Sequence, residues 1–320
     1  MTGGADLGIR SPLASTLGSV QMGDEMGRMS VAIVLGILLA ACAGREVQPL
    51  PPHPPPPKPA KIALVLGAGA ARGFAHIGVL KVLETHRIPV HLIVGTSAGS
   101  FVGCLSAYGY DAFQIQKLSF LLETGDLADY TIPDNGFIKG EKLEEYINKT
   151  IKGTPIERLK TPFYVVATNI QSGEEMVFER GNAGAAVRAS CAMPGVFRPV
   201  QIGSKMYVDG GVVSPVAVDA ARRLGADIVI AVDISSGVND KQPETTVETL
   251  VQSINIMYEK LSVIQLARAD VVIKPQVAHI GSSDFTSKHE AVLEGEKATQ
   301  AALPKIAEIV SRLREEGRIS

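Results

Sequence analysis

The stretch Ile93-Val94-Gly95-Thr96-Ser97-Ala98-Gly99-Ser100 constrains this chain more than any other. His91 to Val94 is short and apolar, as suits a buried strand. Ser97 to Ala107 is rich in small and apolar residues, as suits a helix. Between them stands G-x-S-x-G. Glycine at both flanks permits close backbone contact and unusual dihedrals, so the serine can sit on a sharp turn. Its oxygen is then exposed at the carboxyl end of a strand and at a helix N-terminus. The helix dipole there favours developing negative charge. Ordinary glycine-rich turns use the same spacing, so the rest of the chain must decide its meaning.

Upstream, Lys61 to Leu66 reads as a buried strand. It runs into Gly67-Ala68-Gly69-Ala70-Ala71-Arg72-Gly73, and a helix follows with Phe74, Ile77, Val79, Leu80 and Leu83 as a broad apolar face. Strand, glycine loop and helix suggest a dinucleotide site, but that fingerprint is G-x-G-x-x-G. Here Arg72 holds the third glycine position, and no acidic residue closes a second strand in the Arg87 to His91 region. The other use of such a loop is to bind an oxyanion. Small residues let successive amides point into one cavity, and Arg72 adds positive charge beside them.

This loop, the G-T-S-A-G turn, the block Arg188-Ala189-Ser190-Cys191-Ala192-Met193-Pro194 and the turn Asp209-Gly210-Gly211 occur in that order. The arrangement resembles the patatin-like phospholipase family from Lys61 to about Asp233. Alanine at positions 68 and 70, where plant members carry glycine, is the departure. The resemblance implies an α/β fold, a three-layer α/β/α sandwich with a largely parallel central sheet. It implies a serine esterase acting on phospholipids or lysophospholipids, with no cofactor and no metal. It assigns Ser97 as nucleophile and Asp209 as its base, a dyad without histidine. The amides of Gly69, Ala70 and Ala71, with Arg72 beside them, would hold the oxyanion. Gly67, Gly73, Gly95, Gly99, Gly210 and Gly211 would support the motifs. Two alternatives stay open: an α/β-hydrolase triad completed by His279 or His289, since Ser…Asp…His is the chain order, and a catalytically silent envelope lipoprotein that binds lipid or a partner.

The N-terminal part reads differently. Val31 to Cys42 is an apolar run shorter than the ~20 residues a spanning helix needs, and it suits the core of a signal peptide. Leu39-Ala40-Ala41-Cys42 resembles a bacterial lipobox, which implies cleavage before Cys42 and its lipidation. Ala43 then resembles an outer-membrane sorting signal. The weak basic flank at Arg28, with Asp24 and Glu25 nearby, leaves Met22, Met26 or Met29 as possible starts. Pro49 to Pro59 holds eight prolines in eleven residues, which favours an extended spacer. The expected organisation is a leader over 1–41, an anchor and linker over 42–60 and a catalytic domain over 61–320. The expected place is the periplasmic face of the outer membrane.

Net charge is −2 and the basic residues are scattered, so no basic stripe points to nucleic acid. Cys42, Cys104 and Cys191 form neither a disulfide framework nor a metal-ligand spacing. Cys104 and Cys191 read as small buried hydrophobes, with a bridge between them left open, and His76 reads as a structural hydrogen-bonding residue.

The remaining elements alternate. Helices are expected over Asp111–Leu122, Lys139–Lys149, Pro215–Leu224 and His289–Leu313. Strands are expected over Phe163–Thr168, Glu175–Phe178, Met206–Val208, Ile228–Val232 and Asp270–Ile273. Ser235–Thr246 reads as a polar, mobile loop. Val247, Leu250, Val251, Ile254, Met257, Leu261 and Ile264 form a helical stripe expected to pack.

Overall fold

A mixed eight-stranded sheet runs through the chain, and half of its strands are buried on both faces, as their largely apolar composition demands. The structure, a computed structural model, describes residues 55–131, 136–236 and 242–319. The leader, Cys42 and the proline run before Pro55 lie outside the described residues, as does the middle of the expected loop after Ser235. The residues from Pro56 onward pack as one unit.

The strands are β1 (Ile62–Leu66), β2 (Leu92–Thr96), β3 (Phe163–Asn169), β4 (Glu175–Phe178), β5 (Val200–Ile202), β6 (Lys205–Asp209), β7 (Ile228–Val232) and β8 (Val271–Ile273). Their order is β5-β6-β3-β2-β1-β7-β8, with β4 also on β3. The five strands from β3 to β8 through β2, β1 and β7 are parallel, whereas β4, β5 and β6 join antiparallel.

The helices are α1 (Phe74–Thr85), α2 (Ala98–Tyr108), α3 (Ala112–Phe120), α4 (Thr124–Leu127), α5 (Glu141–Thr150), α6 (Ala183–Ser190), α7 (Val218–Arg223), α8 (Thr246–Leu266) and α9 (Lys288–Glu315). They cover both faces of the sheet. Alternate residues of β1 enter different cores: Ile62, Leu64 and Leu66 join the large one under α1, α2 and α9, while Ala63 and Val65 join a smaller one under α7. The larger side chains thus face the thicker layer. Helix α1 is buried nearly all round, because α9 closes over the side away from the sheet. A Cβ at Gly295 would lie 2.0 Å from the Ala75 carbonyl oxygen, so α1 and α9 are in backbone contact.

Two expectations change. The helix expected over Pro215–Leu224 begins only at Val218. The preceding backbone is used elsewhere: the Pro215 carbonyl accepts from the Ala68 amide at 2.9 Å, and the Val216 amide donates to Gln265 Oε1 at 3.1 Å. The apolar stripe of α8 is largely uncovered. Leu250, Met257 and Ile264 are exposed, and the buried side carries Ile254, Asn255, Tyr258 and Ser262 instead. Residues seven apart drift by ~20° per step around a straight helix, so a stripe followed by heptads leaves the packed face. The start of α8 carries a capping box, Thr245 with Glu248. Among the described residues no helix is long and apolar enough to cross a membrane.

Candidate active site

Strand β3 brings the site together. Its residues 165–168 pair with β4 along one edge. A residue has one partner per edge, so the other edge is shared by β2 and β6. Strand β2 pairs in parallel up to Thr96 opposite Val166, and β6 arrives antiparallel and ends with Asp209 opposite Ala167. The two strands meet end to end across neighbouring residues of β3. Ser97, one residue past β2, therefore lies beside Asp209, the last residue of β6. The Ser97 hydroxyl donates to Asp209 Oδ2 at 2.6 Å.

The turn at Ser97 is fixed from every side. Ser97 has φ 53° and ψ −121°, in the positive-φ region that side-chain-bearing residues rarely enter. The unusual dihedral is thus carried by the serine itself. Its flanking glycines serve close approach: a Cβ at Gly99 would stand 2.0 Å from the Leu66 carbonyl oxygen, and one at Gly95 2.5 Å from Ser100 Cα. The Ser97 carbonyl accepts from the Ser100 amide at 2.8 Å and the Ser100 hydroxyl at 2.7 Å. The Ser97 amide donates to Ser190 Oγ at 2.8 Å, and Ser190 in turn donates to the Val166 carbonyl at 2.6 Å.

Asp209 is fully buried. Its Oδ1 accepts from the Gly211 amide at 2.7 Å, so the Asp-Gly-Gly turn closes on the carboxylate it presents. Burial pushes its pKa up to about 6, opposed by the hydrogen bonds from Ser97 and Gly211. The Asp209 amide donates to the Ala192 carbonyl at 2.9 Å. The Arg188–Pro194 block thus holds both partners, Ser97 through Ser190 and Asp209 through Ala192.

The glycine loop after β1 lies beside them. The Ala71 amide donates to the Ser282 carbonyl at 3.1 Å, and the Arg72 amide to the Gly69 carbonyl at 3.2 Å. The expectation of three oxyanion amides narrows to two in this conformation, because Gly69 and Ala70 alone among these have amides without a partner among the described residues. Ala70 has φ 50°, the conformation glycine would adopt without strain. Gly67 and Gly73 fill tight places, the latter with a Cβ position 2.7 Å from Ala98 Cβ. Arg72 is buried and lines the cavity. Its Nη1 lies 3.5 Å from the Ile280 carbonyl, and burial lowers its pKa to about 10 against the pull of Asp233, so it is cationic at neutral pH.

A model of the patatin-like phospholipase family matches residues 64–222. The chain belongs to the patatin-like phospholipase family. An uncharacterized NTE family protein of Mycobacterium tuberculosis is 33% identical over 207 residues, which are 62% of this chain and 58% of that protein. Lysophospholipase nte1 of Aspergillus fumigatus is 35% identical over 195 residues, 59% of this chain and 13% of that protein. The match therefore spans less than two thirds of the length of these relatives. VipD from Legionella pneumophila has a TM-score of 0.45 at 14% identity, over 78% of this chain and 67% of that one.

Among the described residues no histidine joins Ser97 in this patatin-like site. His76 is buried and accepts no ligand role: its Nε2 is 2.9 Å from the Gly67 carbonyl oxygen, and burial lowers its pKa to about 4, so it stays neutral and donates there. His279 borders the cavity but pairs with Glu290 at 2.8 Å, and the His289 ring packs against Phe120 at a tilt of 58°. Cys104 and Cys191 are both free thiols, which answers the open question of a bridge. Cys191 lies 3.9 Å from Ser100 Oγ at the site's wall. Among the described residues no cluster of histidine, cysteine and carboxylate side chains could hold a metal ion.

Ser97, Asp209 and the loop open into one cavity of about 960 Å³. Phe74, Phe101, Leu122, Leu143, Phe197 and Phe285 give it an apolar interior. Sequence reasoning missed Ser190 and Tyr258 as parts of this site. Ser190 lay within a block already singled out, whereas Tyr258 lies in a helix read only for its apolar stripe.

Proposed function

We propose that this chain is a serine esterase that cleaves acyl esters of phospholipids or lysophospholipids with Ser97 as nucleophile and Asp209 as base. The observation that carries the reading is the 2.6 Å Ser97–Asp209 hydrogen bond at the floor of an apolar cavity, with no histidine between them. Asp209 takes the proton as Ser97 Oγ attacks the ester carbonyl carbon. The carbonyl oxygen becomes an oxyanion, and the Gly69 and Ala70 amides are the donors left free to receive it. Collapse breaks the ester bond, and the departing alcohol takes the proton back from Asp209. Water then repeats the cycle on the acyl-serine and releases the fatty acid. The Aspergillus relative is named a lysophospholipase, which supports this substrate class.

In the same reading the lipobox-like Leu39–Cys42 tethers the enzyme to the outer membrane, where its substrate is concentrated. Palmitate labelling that persists in Cys42→Ala would rule the tether out.

The test is a fluorophosphonate probe and a lysophospholipid substrate, on wild type, Ser97→Ala and Asp209→Asn. Probe labelling is expected at Ser97, and both variants are expected to fall by at least ~10⁴-fold in kcat. Equal turnover in Ser97→Ala would refute the reading. Asp209→Asn carries a second expectation. Asp209 has a folded pKa of about 6, above its unfolded value, so its share of stability is full at low pH and is lost as pH rises through about 6. Above that pH the variant should therefore be the more stable protein, by at most ~3 kcal/mol.

A further inference from the structure

We infer that Tyr258, on α8, is a positioning residue for the hydrolysis proposed above: its hydroxyl donates a hydrogen bond to the ionised Asp209 carboxylate and holds it as the base for Ser97. The inference rests on that reading of Ser97 and Asp209.

Tyr258 is 4% exposed, and its hydroxyl has no hydrogen-bond partner of good geometry among the described residues. A buried phenol left so is costly, and such a group in a native core calls for a partner. The group it faces is Asp209. The ring lies flush against the Asp-Gly-Gly turn. A Cβ at Gly211 would stand 2.3 Å from Tyr258 Cζ and 2.6 Å from its hydroxyl oxygen, so only glycine admits the tyrosine there. Ala68, Ile254 and Met193 pack round the ring.

A carboxylate has about four acceptor sites. Ser97 takes one at Oδ2 and the Gly211 amide one at Oδ1. Tyr258 supplies a third donor, and a neutral one. The titratable groups that face Asp209 are Cys191, after α6, and Tyr258, on α8. Burial pushes the Cys191 thiol up to about 12 and raises the Tyr258 phenol well above its ordinary value. Both keep their protons throughout the working range. Among the described residues no lysine, arginine or histidine forms an ion pair with Asp209. The ionised base is thus held by neutral donors alone, and each one removed makes ionisation harder.

The experiment is the pH profile of kcat/KM on a short-chain p-nitrophenyl ester, using the full chain. Tyr258→Phe keeps the ring and removes the donor. Its acid limb is expected to move up by about one pH unit, so that the rate at pH 5.5 falls about tenfold while the plateau above pH 8 changes by less than about threefold. Placing 3-fluorotyrosine at 258 acidifies the phenol, strengthens the donor and should move the limb the other way; it also serves if Tyr258→Phe folds poorly. Ile254→Ala loosens the packing round the ring and should lower the melting temperature with the limb in place. A Tyr258→Phe or fluorotyrosine limb that coincides with wild type overturns the inference, as does an equal shift in Ile254→Ala. Wild type without Ser97-dependent turnover overturns the hydrolase reading itself, and this inference with it.

Discussion

Two turns lie side by side at the carboxyl ends of β1 and β2, and they handle their polar groups in opposite ways. In the turn at Ser97 the amide is bonded to Ser190 and the carbonyl to Ser100, and the hydroxyl is held by Asp209. In the Gly67–Gly73 loop the outer amides are anchored, Gly67 to Val232 and Ala68 to Pro215, while those of Gly69 and Ala70 have no partner among the described residues. Both turns carry one residue at positive φ, Ser97 and Ala70. The first is strained and satisfied; the second is strained and unsatisfied. A buried amide without a partner costs ~1–3 kcal/mol, and such a cost persists where a ligand can supply the missing acceptor. In the proposed reading this is the difference between a group that must be aimed, the Ser97 nucleophile, and donors that must receive, the oxyanion amides of the loop.

This contrast can be broken one turn at a time. The largest effect is expected from Gly99→Ala. Its Cβ would collide with the backbone of β1 at Leu66, not with a yielding side chain. A loss of at least ~3 kcal/mol is expected, read by thermal unfolding, with activity lost because the fold is lost. A variant that melts with wild type would show that the turn is looser than its geometry.

Gly69→Ala should separate activity from fold. Its Cβ would meet the Ile234 side chain at 2.6 Å and the Ile234 carbonyl at 2.9 Å, so the loop must shift and take its free amides with it. The expected result is ~10²-fold lower kcat with a small fall in melting temperature. Near wild-type kcat would deny this loop the oxyanion.

The smallest effect should come from Ser190→Ala. It removes the acceptor of the Ser97 amide and leaves that amide buried. A stability loss of ~1–2 kcal/mol and a fall of about tenfold in kcat with KM little changed are expected. A change in KM alone would mean that Ser190 shapes the cavity and does not aim Ser97.

Much of the frame was legible in the residues, because the signals are local. Strands β1, β2, β3 and β7 are continuous apolar runs, and such runs mark strands buried on both faces. Glycines 95 and 99 stand where only a missing Cβ lets two backbones approach. The unusual dihedral expected of these glycines belongs to Ser97 instead. The helix expected from Pro215 started late because Pro215 and Val216 spend their backbone groups on Ala68 and Gln265, partners remote in sequence. The α8 stripe failed for a similar reason: periodicity says that a helix has an apolar side, not that anything covers it.

The sequence by itself determined which residue types stand at which turns, the order of the motifs and the family they belong to. These depend on chemistry and spacing within a few residues. Only the tertiary structure decided that β2 and β6 end against each other on one edge of β3, and so that Ser97 meets Asp209 across 112 positions of chain. It alone decided that Ser190 braces the turn and that Tyr258 closes over Asp209. Strand pairing and buried hydrogen bonds join groups whose separation along the chain leaves no periodic trace, so no local pattern could have announced them.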